Sequence, residues 1–146
     1  MYKHILVPTD GSPLSLKAVR AAAKLAAKLK ARITAIYVIP PFLPRYTSED
    51  VVYLARYSAQ DYLQSMRKTA DQALARVVTA AKGSSCQTIS RIHVHPWEAI
   101  VDAAKSRKCD LIVMASHGRR GLAGLLLGSE TQKVLTHSKT PVLVCR

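Results

Sequence analysis

The chain lacks any hydrophobic run long enough to cross a membrane. Its first apolar run, Ile5–Val7, is too short for a secretory leader and is followed at once by a proline, so we expect no signal peptide and a cytoplasmic location. Cysteine is scarce as well. Cys86, Cys109 and Cys145 stand at no metal-binding spacing and cannot all pair internally, which favours free thiols in a reducing compartment.

Common catalytic signatures are also missing. There is no Ser-His-Asp order, Cys-His dyad or pair of carboxylates that stands out, and no His-x-Gly-His or Ser-Gly-Gly-x-Asp-Ser sequence. Nothing supplies an evident general base for phosphoryl transfer. His93 and His95 alternate in a predicted strand, but no third ligand accompanies them, so we predict no metal site. These absences favour a binding protein over an enzyme.

Acidic residues are few, and the formal net charge is +13. Part of this charge falls on one face of the first predicted helix, at Lys17, Arg20, Lys24 and Lys28. The opposite face carries Val19, Ala22, Ala26 and Leu29 and should pack on a sheet. No helix-turn-helix, zinc finger or aromatic-basic RNA motif is present, so sequence-specific nucleic-acid binding is not expected. A solvated face that also attracts anionic metabolites is the simpler interpretation.

Strand-like apolar runs alternate with helix-like stretches along the whole chain. The predicted strands are His4–Pro8, Arg32–Val38, Thr88–His93, Leu111–Ala115 and Val142–Cys145. The predicted helices lie near Pro13–Leu29, Asp50–Lys82, Pro96–Arg107 and Ser129–His137, with Ser12 and His95 as caps. All strands but the third lack clean polar alternation, as expected for strands covered on both faces. The pattern predicts one α/β domain with an open parallel sheet and helices on both faces.

The stretch from Pro40 to Arg56 is the least regular part of the chain. Its prolines, from Pro40 to Pro44, exclude a regular helix there. We leave three interpretations open for this segment: a lid, a partner surface, or a plain surface excursion before the next helix.

The most informative stretch begins with the buried-looking strand Leu111–Ala115. It continues into a glycine-rich loop, and Gly128–Thr131 then opens a helix. Glycine lets a backbone approach a ligand closely, and a helix start with Ser and Thr presents free N–H groups and hydroxyls to an anion. The combination predicts a phosphate site. It is not a P-loop, since no lysine follows the second glycine cluster, and it does not match the dinucleotide fingerprint either.

This stretch resembles the signature of the universal stress protein family, G-x2-G-x9-G-[S/T]. Gly118, Gly128 and Ser129 occupy its last three fixed positions, while Ala115 stands where the family has its first glycine. Three more segments resemble the family: Lys3–Ser12, Asp110–Met114 and Thr140–Cys145. The family contains members that bind ATP and members that do not, and an intact signature marks the binders.

The resemblance implies the strand order 3-2-1-4-5, which would place the turns after strands one and four in one crevice. It also implies that Pro8, Thr9 and Asp10 line the base and sugar, that the backbone of Val38 reads the adenine edge, and that His117 lies near the phosphates. Arg119 and Arg120 either reach the terminal phosphates or stay in solvent. The full set of candidate ATP-binding residues is Pro8, Thr9, Asp10, Val38, Met114, Ala115, His117, Gly118, Arg119, Gly128, Ser129, Glu130 and Thr131.

Two interpretations of function follow from the resemblance. The first is an ATP-binding regulator of the stress response, with Mg²⁺ accompanying the nucleotide and at most slow hydrolysis. The second is a nucleotide-free adaptor that acts through protein contacts with a partner whose identity the sequence does not give. Both would be homodimers, with the edge strand Val142–Cys145 as the natural pairing element.

Overall fold

A computed structural model describes residues 1–43, 49–118 and 127–146, with only the backbone described for residues 49–57. Five strands alternate with four helices in these ranges. The strands are β1 (His4–Pro8), β2 (Arg32–Ile39), β3 (Cys86–Ile92), β4 (Leu111–Ala115) and β5 (Val142–Cys145). The helices are α1 (Pro13–Leu29), α2 (Glu49–Ala80), α3 (Pro96–Ser106) and α4 (Ser129–His137). The predicted alternation of strands and helices is confirmed.

The five strands form one parallel sheet in the order β3-β2-β1-β4-β5, as predicted. Strand β1 lies at the centre, where Ile5 pairs with Ile33 of β2 on one side and with Leu111 of β4 on the other. The winding direction reverses between β1 and β4. Open α/β sheets bind ligands beyond the carboxyl ends of the strands at such a reversal, so this is the edge to inspect for a site.

Each face of the sheet has its own hydrophobic core. On one face α1 and α2 pack over alternate residues of the strands, and Val19, Ala22 and Ala26 of α1 are buried there as expected. On the other face α3 and α4 cover a second cluster that includes Leu6 and Ile112. The buried strands β1 and β4 are therefore apolar on both sides, which explains their uninterrupted hydrophobic sequences.

Strand β5 departs from the prediction that it would be covered on both faces. It is the outermost strand beside β4, and Leu143 is 45% exposed. An edge strand of a parallel sheet can carry a continuous apolar sequence without being enclosed by helices. The apolar sequence of β5 therefore did not indicate complete burial.

Both predicted helix caps are confirmed in position. Ser12 accepts a hydrogen bond from the backbone N–H of Ser15 at 3.1 Å, with Pro13 at the first helical position. His95 is the N-cap of α3, which begins at Pro96, but its side chain makes no capping hydrogen bond. Its backbone N–H instead donates to Nδ1 of His93 at 3.0 Å. The imidazole of His93 thus shapes the turn between β3 and α3.

The remaining differences lie at element boundaries and in the irregular segment. Strand β3 begins at Cys86 and ends at Ile92, so it starts two residues before the predicted Thr88. Residues 40–43 are not regular helix, as expected, while residues 44–48 of the segment lie outside the described residues. Helix α2 begins at Glu49. Of the helices in the described ranges, none is both long and apolar enough to span a bilayer.

Candidate functional site

The turns after β1 and β4 meet at the carboxyl edge of the sheet. A Cβ atom built on Gly118 would lie 2.6 Å from Oδ2 of Asp10, well inside van der Waals contact. The side chain of Asp10 therefore occupies the space that a larger residue at position 118 would need. This contact brings together two segments that are far apart in the sequence, and the two turns border one crevice.

The β1 turn is held by its own polar groups. Oδ1 of Asp10 accepts a hydrogen bond from the N–H of Ser12 at 2.9 Å, and Gly11 adopts a φ of 77° that favours glycine. Thr9 is buried, and its Oγ1 accepts the N–H of Gly11 at 3.1 Å and lies 2.9 Å from Oγ of Ser15. The hydroxyl of Thr9 is thus used to build the turn. Asp10 both shapes the turn and borders the crevice.

The loop after β4 is closed at its base by backbone hydrogen bonds. The N–H of Gly128 donates to the carbonyl of Ser116 at 2.7 Å, and the N–H of Ser116 donates to the carbonyl of Cys145 at 2.7 Å. A Cβ atom on Gly128 would lie 3.2 Å from the Cα and Cβ of His117. A side chain at 128 would therefore push the two ends of the loop apart by a few tenths of an ångström.

Helix α4 begins at this closure, with Gly128 as its N-cap. No side-chain hydrogen bond from the cap occupies the first N–H groups of the helix, and Ser129 is exposed at the first helical position. Free N–H groups at a helix N-terminus, together with the positive end of the helix dipole, favour an anion. The start of α4 therefore has the chemistry of a phosphate or carboxylate site.

Thr131 serves a different purpose from the one expected of its hydroxyl. Its side chain is buried, and Oγ1 donates to the carbonyl of Ala115 at 3.0 Å. The hydroxyl thus fixes α4 against the end of β4, and only the backbone N–H of Thr131 remains as a candidate ligand group.

Glu130 connects α4 to α3. Its Oε2 accepts the backbone N–H of Trp97 in the first turn of α3 at 2.9 Å, while Oε1 lies 3.4 Å from Nζ of Lys133. The indole of Trp97 also packs against the ring of His137, with centroids 4.4 Å apart. The carboxylate of Glu130 therefore accepts a hydrogen bond from an N–H group that the first turn of α3 cannot pair within the helix. This bond holds α4, whose start borders the crevice, against α3.

The other predicted residues are distributed as follows. Pro8 ends β1, and Met114 and Ala115 end β4, so all three lie at the crevice edge. His117 is half-buried, with Nδ1 at 3.2 Å from Oγ of Ser116. Val38 lies near the end of β2 and packs partly against the α3 and α4 side. Arg119 and Arg120 lie outside the described residues.

Two residues of the site were not predicted from the sequence. Ser15 is buried below Thr9 and also donates to the carbonyl of Ser12 at 2.9 Å. Ser116 is buried and joins β5, the glycine loop and α4 through its backbone. The only sequence signals were a small polar residue in the first turn of α1 for Ser15 and one directly after β4 for Ser116, and many proteins have such residues there.

Comparison with known proteins agrees with this geometry. The sequence model of the Universal stress protein family matches residues 1–146. The chain belongs to this family. Among family members, the universal stress protein MJ0531 of Methanocaldococcus jannaschii is 34% identical over 151 residues, an alignment that covers 100% of this chain and 83% of MJ0531.

Solved structures of family members have the same fold. Protein MJ0577 of Methanocaldococcus jannaschii superimposes with a TM-score of 0.82 at 27% identity, and the match covers 99% of this chain and 95% of MJ0577. A universal stress protein in complex with cAMP superimposes with a TM-score of 0.67 at 29% identity, covering 99% of this chain and 96% of that one. An adenine nucleotide is therefore a ligand of one relative.

Proposed function

We propose that this universal stress protein binds ATP in the crevice between the β1 turn and α4, and that ATP occupancy regulates its part in the stress response. The observation that carries the proposal is the contact between Asp10 and Gly118 beside the open start of α4. This contact places the carboxylate of Asp10, which accepts hydrogen bonds from hydroxyl or amine groups, beside the anion site at the start of α4. A nucleotide carries hydroxyl and amine groups on its nucleoside and negative charge on its phosphates.

The β1 side of the crevice suits the nucleoside. The carboxylate of Asp10 is fixed by the N–H of Ser12 and can accept hydrogen bonds from ribose hydroxyls. Pro8 and Val38 lie at or near the ends of neighbouring strands, so their backbones lie on the side where we propose the base binds. The relative with bound cAMP supports an adenine base.

The α4 side suits the phosphates. Ser129 offers a hydroxyl and the helix start offers N–H groups, and Gly118 and Gly128 keep side chains out of the approach. Glu130 already bonds to Trp97 and Lys133, which reduces the repulsion that its charge would exert on a phosphate. His117 and Arg119 remain candidates for the phosphate chain.

Ala115 replaces the first glycine of the family signature, and its position is compatible with binding. Alternation along β4 places its methyl group on the same face as Val113, which packs toward α1. Ala115 is 8% exposed, so its methyl belongs to the core side of the strand. We therefore propose that the alanine is tolerated.

We propose that Mg²⁺ enters with the nucleotide. Mg²⁺ is usually bound by one or two carboxylates together with substrate phosphates and water, not by an all-protein cage. Within the described residues, no three His, Cys, Asp or Glu side chains form a metal-binding group, which suits a cation carried by the phosphates. The cation would neutralise charge on the phosphate chain beside the start of α4.

Calorimetric titration of nucleotide-stripped protein tests the proposal. We expect micromolar binding of Mg-ATP, much weaker binding of AMP and GTP, and ATP binding weakened by about tenfold to a hundredfold in Asp10→Ala. The matched control is Asp102→Ala, which removes the same charge from an exposed position on α3 and should bind as the wild type does. No detectable binding at millimolar Mg-ATP would refute the nucleotide function.

The second candidate function is a dimeric adaptor, for which the exposed edge strand is the supporting observation. Among the described strands β5 pairs only with β4, and Leu143 is 45% exposed. We propose that two copies pair through β5, since this closes the open backbone edge. Sedimentation should show a dimer that Leu143→Lys weakens. A monomeric wild type would exclude this interface.

We also propose that the protein acts in the cytosol. Cys86, Cys109 and Cys145 are all free thiols, and burial raises the pKa of Cys109 to about 11, which keeps it protonated and unreactive. Fractionation of cells with an antibody against the protein would test the location. Recovery in a membrane or secreted fraction would contradict it.

A further inference from the structure

The exposed face of α1 carries a stripe of positive charge. The stripe consists of Lys17, Arg20, Lys24 and Lys28, all exposed. At 100° per residue these four positions fall within an arc of about 80°, and at 1.5 Å per residue they extend over about 17 Å. The opposite face of the helix is buried on the sheet. The stripe is therefore a continuous surface that the fold holds rigidly.

Helix α1 differs from the other helices in having no acidic residue. Helices α2, α3 and α4 all contain both signs of charge, as in the pair Glu130 and Lys133 of α4. The imbalance extends beyond the helix, because the sequence contains no Asp or Glu between Gly11 and Ser48. An ordinary solvated surface interleaves both signs. This one does not.

No salt bridge neutralises the stripe within the part of the chain that the structure describes. The salt bridges in the described residues join His93 to Glu98 and Lys133 to Glu130, far from α1 in sequence. Neighbouring like charges three or four residues apart destabilise a helix. The residues of the stripe succeed one another at this spacing, and a bound anion would relieve their repulsion.

The surroundings of the stripe distinguish between possible anions. Val19, Ala22 and Ala26 of α1 are buried in the core, and Leu25 and Leu29 pack partly against it, so the helix has no broad apolar face to insert into a bilayer. The stripe carries no aromatic side chain on which unpaired bases could stack. The stripe is thus a row of cationic side chains that a firmly packed helix presents to solvent. Such a row is complementary to the regularly spaced phosphates of a nucleic acid.

We propose that the α1 stripe binds the phosphate backbone of duplex nucleic acid without reading its sequence. A row of about 17 Å extends along about five base-pair steps of DNA, over which each strand winds about half a turn, so the four long side chains would contact phosphates of both strands that border a groove. The absence of base-reading motifs agrees with backbone contact alone. This surface is separate from the crevice, and the proposal does not depend on ATP binding.

The expected signature is salt dependence. If four cations each neutralise one phosphate, log K should fall with log salt concentration with a slope of about −3.6, from about −0.9 per contact. Fluorescence anisotropy of a labelled duplex of about 20 base pairs, measured between about 50 and 200 mM KCl, gives this slope. The titration should be run with and without Mg-ATP, and the nucleotide should leave the slope unchanged.

A charge-matched pair of variants makes the test specific. Lys24→Glu with Lys28→Glu removes two contacts, and we expect at least about a tenfold loss of affinity at about 50 mM KCl and a slope shallower by about 1.8. The control, Lys105→Glu with Lys139→Glu, changes the net charge equally at exposed positions away from α1 and should retain the slope. Lys24→Ala with Lys28→Ala serves as a second stripe variant if the glutamates disturb folding, which circular dichroism would show.

Three outcomes would overturn the proposal. The first is a wild type that does not bind the duplex even at the lowest salt concentration. The second is a control variant that loses as much affinity as the stripe variant, which would indicate a diffuse effect of net charge. The third is equal binding of polyglutamate or of vesicles containing phosphatidylserine, abolished by the same stripe variant, which would indicate a different anionic partner.

Discussion

Replacing Gly118 with alanine should damage the crevice through one contact. The added Cβ would lie 2.6 Å from Oδ2 of Asp10, while ordinary contact begins at about 3.4 Å, so the carboxylate must move by about 0.8 Å. Asp10 can move only by weakening its bond to the N–H of Ser12 or by leaving the nucleoside side of the crevice. A hydrogen bond to a charged group contributes about 1.5–3 kcal/mol, so ATP affinity should fall between about tenfold and a hundredfold.

A double-mutant cycle tests this reasoning. Calorimetry would compare the wild type, Gly118→Ala, Asp10→Ala and the double variant. If Gly118→Ala acts by displacing the carboxylate of Asp10, then adding Gly118→Ala to Asp10→Ala should lower ATP affinity little further. An equal loss in both backgrounds would show that position 118 acts independently of Asp10. Unchanged affinity in the single variant would refute the proposed role of Asp10.

Three further predictions concern single residues of α4 and of the sheet. Thr131→Val leaves the buried carbonyl of Ala115 without its donor and should lower the free energy of unfolding by about 1–3 kcal/mol in urea denaturation, whereas Thr136→Val on the exposed face of α4 should cost less. Burial and the nearby Arg32 lower the pKa of His4 from 6.5, so the unfolded chain takes up the proton first. The free energy of unfolding should therefore fall as the pH drops below 6.5, and His4→Gln should remove that part of the slope. Ala115→Gly should leave ATP affinity within about threefold while lowering stability by about 0.5–1 kcal/mol, and a large gain in affinity would show that the methyl obstructs the crevice.

The fold was predictable from the sequence because its signals are local. Continuous apolar runs indicated β1 and β4, and the Ser12-Pro13 pair marked the start of α1. The strand order followed from the resemblance to the family and was confirmed by the sheet. The edge position of β5 followed from the same order, but its partial exposure was missed, because a hydrophobic run does not reveal whether helices cover both faces of its strand.

The positions of the site residues were easier to predict than the directions of their side chains. The sequence placed Asp10 and Gly118 after strand ends and Gly128 at a helix start, and the structure brings Asp10 and Gly118 into contact. The sequence did not show that the hydroxyl of Thr131 donates a hydrogen bond to the carbonyl of Ala115, or that the carboxylate of Glu130 accepts one from the N–H of Trp97. Such bonds depend on the packing of distant segments, which a linear pattern does not encode.

The most direct test of the proposed nucleotide site is an ¹H–¹⁵N correlation spectrum recorded during titration with Mg-ATP. We predict that the largest saturable shifts occur at the amides of Gly118, Ser129 and Glu130, with smaller shifts for AMP at the α4 start. Shifts confined to the α1 stripe would instead indicate loose attraction of the anion to positive charge. That result, or no shifts at millimolar ATP, would contradict a nucleotide site at this crevice.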